Sequence, residues 1–428
     1  MSFVRPLQEL YNDNVPVQNT VKKCKVVNEP RVASRKLSVS QRILASKLAL
    51  YSEQWNPLDY FSEALRFTPK NIFLPQISER KTPFCITPYN QADLAAVGIQ
   101  DGSIIMVRIE DSSQEGTVFG YSPQHHSNAI FDISISTDDN FLVSSSSTSM
   151  KIYDVQENKV VREEFSEHRG SVKQVKFHPE NNSILALSTR TGEIEFRDLR
   201  LKGSIGSWGL VGDKCIPNSH DLILRENNKI KLRRTEVSVT SLAWGSSNVI
   251  LSAGEACDTV KFWDVRNMPE TNGRYGVCRK ILPVMTTPTT KSLKGITSLA
   301  VDHDDGKVWV MQMNNAIVSY RLHAPQLGPV DILTHPELNV KSFYTKMSLI
   351  KPSSTNFGSY IACGGSMQLL LFDKPSRNQP AKHSTTANTL SSGHGSSITC
   401  SAFHSRSGSL VTIADDSSMN LWHPSLDT

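Results

Sequence analysis

The stretch Asp258-Thr-Val-Lys-Phe-Trp-Asp-Val-Arg266 decides how the chain is to be read. Val260, Phe262 and Val265 give it the alternating apolar pattern of a strand in a small antiparallel sheet. Trp263-Asp264 stands where such a strand ends, and Arg266 follows two residues after the acid, on the loop. One string of this kind arises easily by chance. Its weight comes from recurrence in degraded form along the rest of the chain.

The strand-end pattern returns as Ile152-Tyr153-Asp154, Phe196-Arg197-Asp198, Leu371-Phe372-Asp373 and Leu421-Trp422. A second feature is a histidine four residues ahead of a β-branched residue, at His126–Ile130, His168–Val172 and His394–Ile398. A third is an acid in the hairpin turn before the strand, clear at Asp101-Gly102 and Asp416. In order, these features define seven units, at 82–110, 126–156, 168–200, 236–267, 294–323, 341–374 and 394–424. Seven four-stranded blades close readily into a ring, and closure removes exposed sheet edges. The expected fold is therefore all-β, a seven-bladed WD-repeat β-propeller over 71–428, preceded by a short helical N-terminal segment. The chain stops at Thr428, directly after the seventh unit, so the last blade needs a strand from elsewhere. The extended stretch Asn71–Ile77 is the expected donor.

Residues 1–36 are polar, contain Pro6, Pro16 and Pro30, and show no period, as in a disordered arm. Its basic cluster Lys22-Lys23-Cys24-Lys25 with Arg31, Arg35 and Lys36 suits a solvated tail, nuclear import or contact with nucleic acid. Arg35-Lys36-Leu37-Ser38 resembles a basic-directed phosphorylation site. Over 37–70 the pattern predicts a helix–turn–helix. Ser40 caps a helix carrying Ile43, Leu44, Leu48 and Tyr51 on one face. Asn56-Pro57 then opens a second helix carrying Leu58, Phe61 and Leu65. Such a stripe must be buried on the chain's own domain or in a partner.

The net charge is +5, yet the first fifty residues hold nine basic and three acidic side chains. The other 378 residues hold 37 basic and 38 acidic, so the repeat region is close to neutral. A chain-wide nucleic-acid surface is not expected from that balance. Seven scattered cysteines without a C-x-x-C pair suit a reducing, intracellular compartment and no metal. No secretory signal and no run of eighteen apolar residues is present, so neither export nor a membrane partner is expected. Two connections exceed what a blade turn needs: 201–235, with Lys229, Lys231, Arg233 and Arg234, and 268–293, with a Thr-Thr-Pro-Thr-Thr string.

No P-loop, H-E-x-x-H, G-x-S-x-G or strand-linked G-x-G-x-x-G pattern occurs. Acid pairs at Asp138-Asp139, Asp304-Asp305 and Asp415-Asp416 sit in turns, where aspartate is favoured for backbone reasons. His126, His168 and His394 recur once per blade and are read as hydrogen-bonded blade residues rather than ligands, with His178 and His404 read likewise. The expectation is a binding platform with no catalytic residues, no cofactor and no metal.

Two features are more specific. Asp198-Leu199-Arg200 and Asp264-Val265-Arg266 put an arginine two residues after the blade-end acid on consecutive blades. This resembles the WDxR pattern of substrate receptors for cullin-4 RING ubiquitin ligases. The strings Ser252–Arg266, Ala129–Ile133, Gly295–Asp302 and Ser342–Lys346 are similar in wording to the denticleless family of such receptors. The resemblance covers roughly 80–424. It implies a non-catalytic, nuclear subunit whose arginines meet the damaged-DNA-binding adaptor protein, with the helical segment docking in the adaptor's cleft. The implied adaptor-binding residues are Asp264, Arg266, Asp198, Arg200, Ile43, Leu44, Leu48, Leu58 and Phe61. It further implies recruitment of replication-licensing factors and related cell-cycle inhibitors bound to the PCNA sliding clamp, with basic degron residues read by the propeller face. Arg197 departs from the pattern where tryptophan is usual, which puts Arg200 in more doubt than Arg266. An ion pair from Arg266 to a neighbouring acid is the plainer alternative at that site. Animal members carry a long C-terminal tail, whereas this chain ends at the last blade. A general WD-repeat scaffold in chromatin or ribosome assembly, and a DNA-binding propeller, stay open as other functions.

Overall fold

The computed structural model describes residues 61–67 and, apart from several loops, 82–424. The expected arm 1–36, the first helix with Ile43, Leu44 and Leu48, Leu58, the Asn71–Ile77 stretch and His168 lie outside the described residues.

Seven antiparallel sheets of four or five strands make up a β-propeller. Blade one is Pro83–Pro88, Leu94–Ile99, Ile104–Arg108 and Val118–Ser122, paired in that order. The first three strands of blades two to six start at Ile130, Val172, Val239, Ile296 and Ser348, inside the expected units. Each middle strand is buried on both faces, so its alternating residues feed two different cores. In blade one, Ala95, Val97 and Ile99 pack with Val411, Ile413 and Leu421 of blade seven, whereas Ala96 packs with Ile130 and Ile133 of blade two. The same division gives one apolar cluster between every neighbouring pair of blades around the ring. Phe262, 1% exposed, anchors the cluster between blades four and five. Burial of that side chain alone contributes about 1.5–3 kcal/mol.

The ring closes through Phe61–Phe67, which pairs antiparallel with Met419–Pro424 as the outer strand of blade seven. This corrects two expectations. The closing strand is not Asn71–Ile77, and the second N-terminal helix does not run through Phe61 and Leu65. The spacing of Phe61, Leu65 and Phe67 does not discriminate between helix and strand. The open edge of Met419–Pro424 offers a full ladder of partners, and that tertiary gain decides the conformation.

The two long connections contain the fourth strands of their own blades. Lys214–Ile216 completes blade three and Met285–Thr286 completes blade four. What remains between blades three and four includes a double hairpin, Asp221–Leu222 with Thr235–Glu236 and Arg225–Glu226 with Lys229–Ile230. Lys231, Arg233 and Arg234 are outside the described residues. Blade five gains a fifth strand, His383–Ser384, laid parallel on Pro329–Thr334, which covers that edge. No helix among the described residues is long and apolar enough to cross a membrane.

Candidate functional site

Within a blade the strands alternate in direction, so the first and third begin on one face of the ring and end on the other. Asp198 ends Ile194–Asp198 and Asp264 ends Lys261–Asp264, both third strands. The two Asp-x-Arg loops therefore leave the same face, on adjacent blades.

Their geometry is the same. The middle residue is the anchor: Val265 and Leu199 each pack at a cluster between blades, and their amides donate to Asn248 O (3.0 Å) and Ser183 O (2.7 Å). That fixes the backbone from which acid and arginine project. The Arg266 amide donates to Asp264 Oδ1 at 3.0 Å, and its Nε donates to the same oxygen at 2.9 Å. Nη2 donates to Asp264 Oδ2. Arg200 repeats the pattern on Asp198, with amide and Nε at 3.0 and 2.9 Å from Oδ1 and Nη2 at 2.6 Å from Oδ2. The Arg266 hydrogen bonds hold the Asp264 carboxyl down at about 2, and Arg200 likewise lowers Asp198.

So the ion pair of Arg266 with a neighbouring acid is present, and Arg200 has its twin. It does not use up the arginine. Side chains of Arg200 and Arg266 stay 66% and 65% exposed, and Nη1 of each has no partner among the described residues. An exposed pair of this kind adds little to stability. Its effect is to hold a planar, always-charged fork in one orientation before anything binds. Blade two offers no such fork, because Asp154-Val155 is followed by Gln156, whose amide donates to Asn140.

Arg197, standing where tryptophan is usual, leaves the Asp198–Arg200 loop with the same hydrogen bonds as its twin. It is 2% exposed and its Nε meets Glu164 Oε2 of the blade-two outer strand at 3.2 Å. Nη2 pairs with Glu195 and Nη1 donates to Phe196 O. A buried ion network between blades thus stands where blade four uses Trp263, whose Nε1 donates to Ser252 Oγ at 2.8 Å.

The repeating histidines belong to the blades. His126 reaches Ser149 Oγ (2.9 Å) and Ser144 Oγ (2.8 Å). His394 reaches Ser418 and Thr412, Ser418 in turn meets Asp416, and Trp422 Nε1 donates to Thr412. Blade four has an equivalent that the sequence reading missed. His220 bonds Ser252 Oγ at 2.8 Å and sits 2.9 Å from Cys257 Sγ. Burial pushes His126 and His220 down to about 3, so both are neutral. His178 is held by Ser247 O and packs edge-on against Trp244; His404 contacts Ser407. Among the described residues no group of His, Cys, Asp or Glu could hold a metal ion.

Of the site residues expected from sequence, the fold brings Asp198, Arg200, Asp264 and Arg266 to one face. Phe61 opens the closing strand opposite Pro424, at the end of blade seven's third strand, and so lies on that face but on a different blade. The class is thereby defined as a seven-bladed WD-repeat β-propeller with paired Asp-x-Arg loops.

Residues 88–178 match the anaphase-promoting complex subunit 4 WD40 domain, and 385–423 match the WD domain, G-beta repeat. The Cell division cycle protein cdt2 of Schizosaccharomyces pombe is 26% identical over 80% of this chain and 69% of its own length. Protein lethal(2)denticleless of Drosophila melanogaster is 24% identical over 78% of this chain and 43% of its own. Denticleless protein homolog B of Xenopus laevis is 24% identical over 69% of this chain and 41% of its own. The β-propeller domain of Myceliophteria thermophila Cps50 (Swd1) superposes with a TM-score of 0.57 at 14% identity, covering 82% of this chain and 98% of that one. That likeness concerns the fold alone. These sequence similarities support a denticleless-type WD-repeat protein.

Proposed function

We propose that this protein is the non-catalytic substrate-recognition subunit of a cullin-4 RING ubiquitin ligase, and that it binds the damaged-DNA-binding adaptor through Arg200 and Arg266. The observation that carries this is the pair of superimposable forks on adjacent blades, exposed on one face and pre-set by Asp198 and Asp264. A guanidinium fixed in this way loses little further entropy when it meets a carboxylate or a carbonyl. The sequence similarity to the denticleless proteins supports the same reading. The apolar residues Ile43, Leu44, Leu48 and Leu58, expected from sequence to share a helical stripe, would supply a second adaptor contact. The substrates would be clamp-bound replication-licensing factors and cell-cycle inhibitors, and the compartment the nucleus.

The test is capture of purified adaptor by wild-type protein, by Arg266→Ala and by Arg200→Ala/Arg266→Ala. The double variant should lose at least tenfold in adaptor affinity with thermal stability unchanged. Wild-type protein that captures no adaptor would replace this reading with that of a general WD-repeat scaffold.

A further inference from the structure

The string Ser342-Phe-Tyr-Thr-Lys346, which leads into blade six, has no part in the arginine face. Tyr344 stacks on Phe84 of blade one (5.0 Å between centroids, 13° between planes) and on Phe131 of blade two (5.7 Å, 14°). Lys346 donates from its amide to Thr399 O of blade seven, and from Nζ to Thr240 O of blade four (3.1 Å) and Thr297 O of blade five. A segment this short reaches five blades only if it lies across the ring axis. It crosses the face opposite the Asp-x-Arg loops, because each of its partners stands at the start of a first strand.

Those partners occupy one equivalent position. Phe84, Phe131, Thr240, Thr297 and Thr399 are each the second residue of the blade's first strand, and so is Lys173 in blade three. In all six blades the pairing register slips at that residue, a β-bulge that re-aims the side chain toward the axis. The threonine hydroxyls are taken up by backbone carbonyls, Thr297 and Thr399 by Met311 O and Ile413 O of their own blades and Thr240 by Ala253 O of its own and Ile296 O of blade five. Blades one to three instead present Phe, Phe and Lys. Lys173 Nζ lies 4.3 Å from the Phe131 centroid and 5.9 Å from that of Tyr344. Arg190, exposed on the adjoining hairpin of blade three, adds a second positive charge close enough to act on both Lys173 and Tyr344. Glu255 faces Lys173 from blade four, yet neither cation forms an ion pair with a described residue.

We propose that Phe84, Tyr344 and Phe131, with Lys173 and Arg190, form a peptide-binding site at the channel mouth that takes an anionic side chain, carboxylate or phosphate, beside an apolar one. Naming the occupant as a segment of a substrate protein rests on the receptor function above, and the anionic group lies in that segment beside the basic degron residues implied by the resemblance, which this cationic site does not read. The anion neutralises two cations that otherwise repel, and the half-buried ring row takes the neighbouring apolar group. A nucleic acid is disfavoured because tracking its backbone needs more than two cations, and the chain beyond its first fifty residues has 37 basic against 38 acidic residues.

The experiment is a positional-scanning octapeptide library, with Glu, phosphoserine or Lys fixed at each position, offered to the full chain. Wild type should retain Glu and phosphoserine peptides at least tenfold over their Lys counterparts, and the two arms separate carboxylate from phosphate. Lys173→Glu/Arg190→Glu should abolish or reverse that preference while still capturing adaptor, whereas Tyr344→Phe, which keeps the stack, should retain it. The proposal is overturned by wild type without acidic preference, by a preference that survives in the double variant, or by a single-stranded oligonucleotide outcompeting every peptide. Wild type that captures no adaptor but keeps the acidic preference would sink the receptor reading and leave the site standing.

Discussion

The two faces of this ring are built in opposite ways. On one, Arg200 and Arg266 are local devices: acid and arginine lie two residues apart, and each loop is pinned by its own blade. On the other, the Phe84–Tyr344–Phe131 row is assembled from three distant parts of the chain and exists only when the ring is closed. A local device survives small shifts of neighbouring blades. An assembled one reports on them. The face that would hold a constant partner is thus the locally built one, and the face that would meet varied substrates depends on the whole ring.

Variants that strain the ring sharpen this contrast. The largest effect is expected at Arg197. Its removal in Arg197→Ala takes away the buried cation that Glu164 and Glu195 share, leaving Glu164 only Arg162, and should cost about 3–5 kcal/mol in denaturant unfolding. The Arg266 fork should persist in that variant wherever it remains folded, measured as adaptor capture. A smaller loss follows from Trp263→Phe, which takes the indole donor from Ser252 Oγ and leaves that hydroxyl with His220. That change should cost about 1–3 kcal/mol, read in the same assay.

The histidine networks give a pH signature. Folded His126 and His220 titrate near 3, and His125 near 4, against 6.5 for the ordinary group. Below 6.5 the unfolded chain takes up protons that the folded one refuses. Stability is therefore full above 6.5 and falls as the pH drops from there toward 3–4. Each such histidine contributes a slope of up to about 1.4 kcal/mol per pH unit. Urea midpoints measured between pH 7 and 5 should decline, and less steeply in His126→Gln.

How much of this was legible follows the same local-versus-assembled line. The Trp263-Asp264 and Phe372-Asp373 strand ends, the hairpin acids and the His394 spacing carry the repeat because each blade makes its own hydrogen bonds. The Asp-x-Arg forks were legible for the same reason. His220 was hidden because a double hairpin separates it from its strand, stretching the spacing by which His126 and His394 were found. Lys214–Ile216 and Met285–Thr286 are too short to show alternation. Phe61–Phe67 and Tyr344 are fixed by partners more than 200 residues away in sequence, which no local pattern encodes.

Adaptor affinity measured side by side for wild type, Arg200→Ala/Arg266→Ala and Lys173→Glu/Arg190→Glu tests the separation of faces most directly. The account predicts at least tenfold weakening in the first variant, wild-type affinity in the second, and unchanged melting in both. Equal affinity in all three proteins, or loss in the channel-mouth variant alone, would contradict it.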